Sequence, residues 1–389
     1  MSTPPVLIAA WARTAVVQRG QAFQALQAHE IAAPVLHQVL QRAGLPSAAV
    51  DAVVLGNALG AGGNPARLLA LQAELPTACA AYTVDTQCCA GLDAVALGAA
   101  LIASGQAQVV VAGGAEAWSR SPLRMHRPLH AGDAPVPYER PAFAPTPEQD
   151  PDMLSSAAHY AATNGYTRAE QEAYAVQSHT LALQHQALLA DEIVPVAGVS
   201  HDPHPRPMTV ARAARMPTVA CAPDVEAQTW GLSALTVSAQ ADGAALVVLM
   251  SPQACATWGV SASMAWTAHA SVGSAPEVPL VAAELAARAV MQRAGIASVT
   301  DLTCVELHDA FAVQGLSFAK GLGVKPEQLN PKGGGLARGH PIGASAAIAL
   351  VRVLSELAAQ PTHANGLVAV AGAGGLGSAA WVQKIAPLR

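Results

Sequence analysis

The sequence is poor in charged and aromatic side chains. Only 12% of its 389 residues are Asp, Glu, Lys or Arg and 4% are Phe, Trp or Tyr, while 52% are hydrophobic. Ordinary globular proteins have roughly 25% charged residues, so we expect another subunit to cover part of the surface. With a net charge of −5 and no block of five like charges, the chain lacks the basic field that nucleic-acid binding needs.

Long hydrophobic runs are also missing. Apolar stretches such as AVALGAALIASG and GLVAVAGAGGLG fall short of the ~18 residues that a membrane-spanning helix needs. The first residues, MSTPPVLIAAWART, have neither the basic leader nor the apolar core of a signal peptide. We therefore predict a first buried strand here, a cytoplasmic protein and no membrane association.

The cysteines lack the spacing of a metal site or of a disulfide framework. None of the six forms a CxxC pair or a Cys/His ligand cluster. A chain of this length does not need disulfides for stability. We expect reduced thiols and no bound metal.

Two glycine-containing turns carry the residues that suggest chemistry. Cys88 lies in TVDTQCCAGLDAV and His340 in GGGLARGHPIGAS, each just before an Ala-rich helical stretch. A thiol at a helix N-terminus faces unpaired N–H groups and the positive end of the helix dipole, which predicts a lowered pKa. An imidazole nearby can take its proton. The pair points to acyl transfer.

A long-range repeat relates these two turns. RAGL (42–45) precedes the strand-like VDAVVLGNAL, and RAGI (293–296) precedes DLTCVELHDAF. Cys88 lies 31 residues beyond Asn57, and His340 lies 32 beyond His308. Short apolar strands that alternate with helices predict α/β layers. Two such halves, joined face to face, would bring Cys88 and His340 to one central seam.

The composition changes between the halves. Residues 119–238 are rich in Pro, His, Arg and Asp, and Thr167 followed by Glu170 predicts a capping box at the start of a helix. We expect an N-terminal half with the nucleophile (1–118 plus 239–262), a loop domain that binds coenzyme A (119–238) and a C-terminal half with the catalytic histidines (263–389). The alternative is that the inserted segment forms a dimer contact or has no functional role.

A set of motifs follows the same order as in a known family. They are ART (12–14), GN (56–57), NPAR (64–67), CxAGL (88–92), VVVAGGAE (109–116), DEIVPV (191–196), DGAA (242–245), HDAF (308–311), NPKGGGLARGHPIGAS (330–345) and GGLG (374–377). Together they resemble the thiolase family along nearly the whole chain. The resemblance implies a duplicated five-layer αβαβα fold with an inserted loop domain, a homodimer or homotetramer, and chemistry on acyl-CoA. It implies coenzyme A as a substrate and no permanently bound cofactor.

The resemblance also implies roles for single residues. The family's nucleophile precedes the Gly-Leu pair by three residues, which here selects Cys88 rather than Cys89. His340 would take the proton of the thiol, and the backbone N–H groups of Cys88 and Ala373 would hold the acyl-enzyme carbonyl. His308 stands where most thiolases have an asparagine in the oxyanion hole, and its HD sequence resembles that of sterol carrier protein-type thiolases.

The substrate contacts that the resemblance implies lie in several segments. Ser238 matches the serine that binds the pantetheine amide. Met153, Ala310 and Phe311 match apolar walls of the pantetheine tunnel.

The sequence departs from the family at the second catalytic cysteine. In typical thiolases a cysteine in the C-terminal glycine loop moves the proton of the substrate α-carbon, and the corresponding residue here is Ala371. The sterol carrier type has this cysteine in its HDCF motif, where Ala310 stands here. Cys89, His308 and a water molecule are the substitutes to consider.

Three functions therefore remain open. A thiolase-type acyltransferase would acylate Cys88 and cleave or form 3-ketoacyl-CoA. A related enzyme would use Cys88, His308 and His340 to pass the acyl group to another acceptor or to condense it after decarboxylation. A non-catalytic acyl-CoA-binding subunit would bind without acylation and act with a partner, for example a small accessory protein.

Overall fold

The computed structural model of the protein describes residues 5–60, 62–296, 298–299, 302–325 and 327–388. Residues 1–4 of the predicted N-terminal half and residue 389 of the predicted C-terminal half lie outside the described residues. The strands are β1 (Val6–Thr14), β2 (Val17–Gln18), β3 (Ala52–Gly56), β4 (Ala80–Val84), β5 (Val109–Ala117), β6 (Arg124–His126), β7 (Val136–Tyr138), β8 (Ile193–Val194), β9 (Thr218–Ala220), β10 (Leu232–Ser233), β11 (Ala241–Met250), β12 (Ala262–Gly273), β13 (Cys304–His308), β14 (Asn365–Gly372) and β15 (Leu376–Leu388).

Helices alternate with these strands in both halves. They are α1 (Ala28–Ala43), α2 (Pro65–Gln72), α3 (Ala90–Ala103), α4 (Met153–Thr163), α5 (Arg168–Gln184), α6 (Gln186–Leu189), α7 (Val210–Ala213), α8 (Ala227–Trp230), α9 (Pro252–Trp258), α10 (Ala282–Ala294), α11 (Ala312–Leu322), α12 (Gly335–Arg338) and α13 (Ile342–Ala358). Within the described residues, none of them is long and apolar enough to cross a membrane.

The two halves repeat one strand arrangement. In the first, β4, β3 and β5 run parallel, β11 is antiparallel to β5, and β1 is antiparallel to β11. In the second, β13 and β14 are parallel, β15 is antiparallel to β14, and β12 is antiparallel to β15. A short antiparallel pairing of β1 with β12 joins the halves. The counterpart of β4 is reduced to a single parallel bridge between Val305 and Leu329.

The helices complete five layers. Helices α3 and α13 contact each other and pack between the two sheet halves. Helices α1 and α2 cover the outer face of the first half, and α10 covers the outer face of the second. This is the duplicated αβαβα arrangement that the sequence predicts. A largely aliphatic core surrounds α3 and α13, the two helices that follow the functional turns.

The repeat is also visible in how the outer helices end. Gly44 follows α1 with φ 67°, and Gly295 follows α10 with φ 70°. Glycine adopts the left-handed conformation that ends a helix in this way with little strain, because it has no Cβ. The matching RAG sequences therefore mark equivalent helix ends.

The inserted segment lies between β5 and β11 and contains β6 to β10 and α4 to α8. Its long helix α5 begins after Thr167, whose hydroxyl accepts the N–H of Glu170 while the Glu170 carboxylate accepts the N–H of Thr167. The predicted capping box is thus confirmed. The domain boundaries at 118, 238 and 262 stay a prediction.

Candidate active site

The turns before the two central helices bring Cys88 and His340 together. Cys88 lies in a single 3₁₀ turn, Gln87–Cys89, directly before α3, and His340 lies two residues before α13. The Cys88 Sγ and the His340 Nε2 are 3.3 Å apart. This distance lets the imidazole accept the thiol proton.

Glycines allow the two turns to approach this closely. A Cβ at Gly91 would lie 2.8 Å from the carbonyl oxygen of Gly343, and a Cβ at Gly343 would lie 2.7 Å from the Asn57 Cα. A side chain at Gly91 would push α3 away from α13, and a side chain at Gly343 would push α13 away from the backbone that follows β3. The glycines that the sequence shows at these turns therefore set the spacing of the thiol and the imidazole.

Hydrogen bonds determine which nitrogen of His340 faces the thiol. The Ser345 hydroxyl donates to the carbonyl of Pro341 at 2.9 Å, so its oxygen is free to accept from the His340 Nδ1, 2.7 Å away. With the proton on Nδ1, the Nε2 presents a lone pair to Cys88. The backbone of His340 is held as well, because its N–H donates to Ala239 and its carbonyl accepts the indole N–H of Trp118.

Burial keeps both partners neutral in the resting state. It raises the pKa of Cys88 to about 12, although the backbone N–H groups of Ala373 and Cys88 act in the opposite direction. Burial also lowers the pKa of His340 to about 4. The prediction of a lowered thiol pKa is therefore wrong for this structure, because the loss of solvent outweighs the N–H groups and the helix terminus. The proton has to move during attack rather than before it.

His308 lies beside His340. The ring centroids are 4.2 Å apart, with 33° between the ring planes. The His308 side chain is buried, and its Nε2 has no hydrogen-bond partner among the described residues. Burial holds the pKa of His308 well below its usual range. The positive charges of a protonated His340 and of Arg338 lower this pKa further. A neutral imidazole with a free nitrogen can bind a polar group of a ligand.

One cavity of about 410 Å³ contains most of the predicted site residues. Those that line it are Cys88, Met153, Ser238, Ala310, Phe311, His340, Ala371 and Ala373. His308 does not line it. Ser238 donates its hydroxyl to the carbonyl of Gly335 at 2.7 Å, which leaves its oxygen able to accept from a ligand.

Alanine methyl groups line the cavity at the two positions where thiolases have their second cysteine. Ala371 and Ala310 line the cavity, while Cys89 does not. Cys89 as a residue is 1% exposed, and its Sγ lies 3.9 Å from the carbonyl oxygen of Val370. Cys89 therefore cannot reach a substrate α-carbon from this position, and Cys88 is the one thiol among the described cavity residues.

Two further residues of the site were not found from the sequence. Glu116, at the end of β5, accepts N–H groups from Asn57, Ala58 and Gly343 at 2.8 to 3.0 Å and so ties the first half to the start of α13. Burial raises its pKa to about 7. In the sequence, Glu116 could have been found as a single carboxylate at the end of an apolar strand. Ser345 could have been found as a hydroxyl little more than one helical turn after His340.

The described residues contain no group of three or more His, Cys, Asp or Glu side chains that could hold a metal ion. The arrangement is that of a buried nucleophile, a base with a defined tautomer, and a pair of backbone N–H groups. Such a set suits the formation and breakdown of a thioester on Cys88.

Comparison with known sequences assigns both halves to one family. Residues 6–253 match the family described as thiolase, N-terminal domain, and residues 261–384 match thiolase, C-terminal domain. The chain is 34% identical over 405 residues to the acetyl-CoA acetyltransferase of Rhizobium meliloti (strain 1021), covering 99% of this chain and 100% of that relative. It is also 34% identical over 403 residues to the acetyl-CoA acetyltransferase of Shinella zoogloeoides, covering 99% and 100%.

Solved structures agree with the fold. The acetyl-CoA acetyltransferase of Bacillus anthracis superimposes with a TM-score of 0.89 at 28% identity, over 99% of this chain and 100% of that one. The Acat5 thiolase of Ascaris suum in complex with coenzyme A superimposes with a TM-score of 0.88 at 25% identity, over 98% and 100%.

Proposed function

This chain belongs to the thiolase family of acyltransferases, whose substrates are thioesters of coenzyme A, and we propose that it forms an acyl-enzyme on Cys88 and cleaves or forms 3-ketoacyl-CoA. The observation that carries the proposal is the 3.3 Å contact between the Cys88 Sγ and the His340 Nε2 inside the shared cavity. Ser238, Met153, Ala310 and Phe311 would hold the pantetheine arm along the same cavity.

In the first step, the thiol proton of Cys88 passes to the His340 Nε2 as the sulfur attacks the thioester carbonyl. The N–H of the unpaired His308 Nε2 would stabilise the developing oxyanion through a water, because His308 does not itself line the cavity. The leaving coenzyme A thiolate takes the proton back from His340. The acyl-enzyme carbonyl then accepts the N–H groups of Cys88 and Ala373, which already act on the sulfur.

The carbon–carbon bond step needs a proton at the substrate α-carbon. Ala371 and Ala310 cannot supply it, so His340, or His308 acting through a water, would have to do so. The two alanines favour a second candidate function that avoids this requirement. In that case the acyl group passes from Cys88 to another acceptor, or it condenses with a carbanion made by decarboxylation.

A thiolysis assay tests the proposal directly. Purified protein is incubated with coenzyme A and a series of 3-ketoacyl-CoAs from acetoacetyl-CoA upward, with Cys88→Ser as the blank. In parallel, the acylation of Cys88 by acetyl-CoA alone is followed by intact-protein mass spectrometry. Acylation with thiolysis supports the first function. Acylation without thiolysis supports the second, and binding without acylation supports a non-catalytic subunit that requires a partner protein.

The exposed edge of the sheet suggests a homodimer or homotetramer. Strand β4 pairs with β3 and, in the part of the chain that the structure describes, has no strand on its other side. Large apolar side chains that are at least 41% exposed lie on β4 and on its neighbours α2 and α3: Leu68, Leu71, Tyr82 and Leu97. An unpaired apolar edge favours association with a second copy. Sedimentation analysis gives the number of copies.

A cytoplasmic location is proposed from the thiols. All six cysteines are free in the structure, as is usual in a reducing compartment.

A further inference from the structure

A cluster of polar side chains adjoins the turn that carries Cys88. Its centre is the carboxylate of Asp93, in the first turn of α3, a residue that is only 8% exposed. The carboxylate accepts hydrogen bonds from four side chains: Thr86 at 2.6 Å, Ser271 and Ser378 at 2.7 Å, and the His269 Nε2 at 3.1 Å. Burial raises the pKa of Asp93, but these bonds outweigh it and hold the pKa below its usual value. Asp93 is therefore an ionised, fully bonded anchor.

The cluster joins the two halves of the fold. Thr86 and Asp93 belong to the first half, whereas Ser271 lies on β12 and Ser378 on β15 of the second. The two serines are direct partners in the antiparallel pairing of β12 with β15, so their hydroxyls reach one carboxylate oxygen from neighbouring strands. Asp93 is thus fixed to the sheet of the second half.

Thr86 connects this fixed carboxylate to the turn Gln87–Cys89. Its hydroxyl donates to Asp93, and its carbonyl oxygen accepts the N–H of Cys89 at 3.1 Å. One side-chain bond therefore closes the segment from Thr86 to Asp93 into a loop, with Cys88 inside it. Thr86 does not line the cavity, so its hydroxyl acts through the turn and not by contact with a substrate.

The turn needs this support because its backbone is strained. Gln87 has φ 54°, in the left-handed region that residues with a Cβ rarely adopt. Such a conformation persists only where the surrounding structure enforces it. The Asp85 carboxylate holds the N–H of Gln87 at 3.0 Å, and the Thr86–Asp93 bond ties the turn to α3. Because Gln87 directly precedes Cys88, relaxation of its backbone would change the direction of the thiol.

We propose that Thr86 and Asp93 are positioning residues that hold this strained turn so that the Cys88 thiol faces His340. The bond from hydroxyl to carboxylate anchors the turn on α3, and the two serines anchor the carboxylate on the second half, which also carries His340. The Sγ–Nε2 distance of 3.3 Å is the geometry that this anchoring maintains. The inference rests on the proposed role of Cys88 as the acylated residue.

Thr86→Val tests the inference, because it removes the hydroxyl at nearly constant volume. Asp93 keeps its three other donors, so the variant should fold. The acylation of Cys88 by acetyl-CoA is followed over time by intact-protein mass spectrometry at several acetyl-CoA concentrations. We expect the limiting rate to fall about tenfold or more, since a small displacement of a nucleophile is costly, while the half-saturating concentration stays nearly unchanged. Thr86→Ser keeps the hydroxyl and should recover most of the rate.

Thr229→Val is the matched control. The Thr229 hydroxyl also donates to a carboxylate, that of Glu226 at 2.8 Å, but it lies in the inserted segment and outside the cavity. This variant should acylate at the parent rate. Four results would overturn the inference: a parent-like rate in Thr86→Val, an equal loss in Thr229→Val, a Thr86→Ser variant as slow as Thr86→Val, or a change in the half-saturating concentration alone.

A crystal structure of Thr86→Val gives a second readout that needs no reaction. We expect Gln87 to leave the left-handed region and the Cys88 Sγ to move away from the His340 Nε2. An unchanged turn would refute the inference. A parent protein that does not acylate Cys88, together with a displaced turn in Thr86→Val, would contradict the proposed function and still support this inference.

Discussion

Gly91 of α3 and Gly343 of α13 are in contact through their backbones, and a Cβ added at Gly91 would lie 2.8 Å from the Gly343 carbonyl oxygen. This contact crosses the seam between the two halves of the fold. It lies between the turns that carry Cys88 and His340, and it allows their side chains to meet.

Gly91→Ala should therefore destabilise the protein, although alanine is the better helix former. Displacing a backbone oxygen from this contact should cost about 2 kcal/mol or more and should slow the acylation of Cys88. Thermal denaturation and mass spectrometry measure the two effects. Gly273→Ala is the control, because a Cβ at Gly273 meets nothing within 4 Å. Equal stability of the two variants would contradict this view of the seam.

Ser345→Ala should lower kcat by about 10- to 100-fold and leave KM nearly unchanged. Without the hydroxyl, the Nδ1 of His340 loses the acceptor that keeps the proton on that nitrogen. The proton can then move to Nε2, which removes the lone pair that accepts the thiol proton of Cys88. Steady-state kinetics measure the change. Ser355→Ala serves as the comparison, since the Ser355 hydroxyl accepts the indole N–H of Trp11 and lies outside the site cavity. Similar kinetics for both variants would show that the Ser345 contact does not set the tautomer.

The alkylation of Cys88 by iodoacetamide should accelerate steadily as the pH rises from 6 towards strongly alkaline values. The thiolate is the reactive form, and burial raises the pKa of Cys88 to about 12, so the thiolate fraction still increases far above neutrality. Subtracting the rate of Cys88→Ser removes the contribution of the other cysteines. A plateau between pH 6 and 8 would instead indicate a preformed thiolate–imidazolium pair.

Ala371→Cys should increase the thiolysis of acetoacetyl-CoA on the order of a hundredfold. The new thiol would project into the cavity that Cys88 also lines, where it could move the α-carbon proton. The acylation of Cys88 by acetyl-CoA, which breaks no carbon–carbon bond, should not change. Ala371→Ser has a similar size without the thiol and should stay close to the parent protein. If thiolysis does not rise in Ala371→Cys, the α-carbon base is not what limits this enzyme.

The sequence alone determined the architecture and the two turns. The repeat of RAG sequences, strands and Ala-rich helices predicted two α/β halves that meet at a seam, because hydrophobic periodicity and helix-end glycines are local properties of a chain. The motifs predicted which thiol faces the cavity, since Gly91 and Leu92 distinguish Cys88 from Cys89. They also identified Ala371 and Ala310, and both line the cavity.

Tertiary structure decided the electrostatics of the site. The sequence predicted a lowered pKa for Cys88 from the helix terminus, but burial raises it, and burial depends on every segment that surrounds the sulfur. The link from Glu116 to Gly343 and the bond from Ser378 to Asp93 join residues that are far apart in the chain. Local patterns specify helices, strands and turns, whereas solvent exclusion and the distances between charges exist only once those elements have packed together.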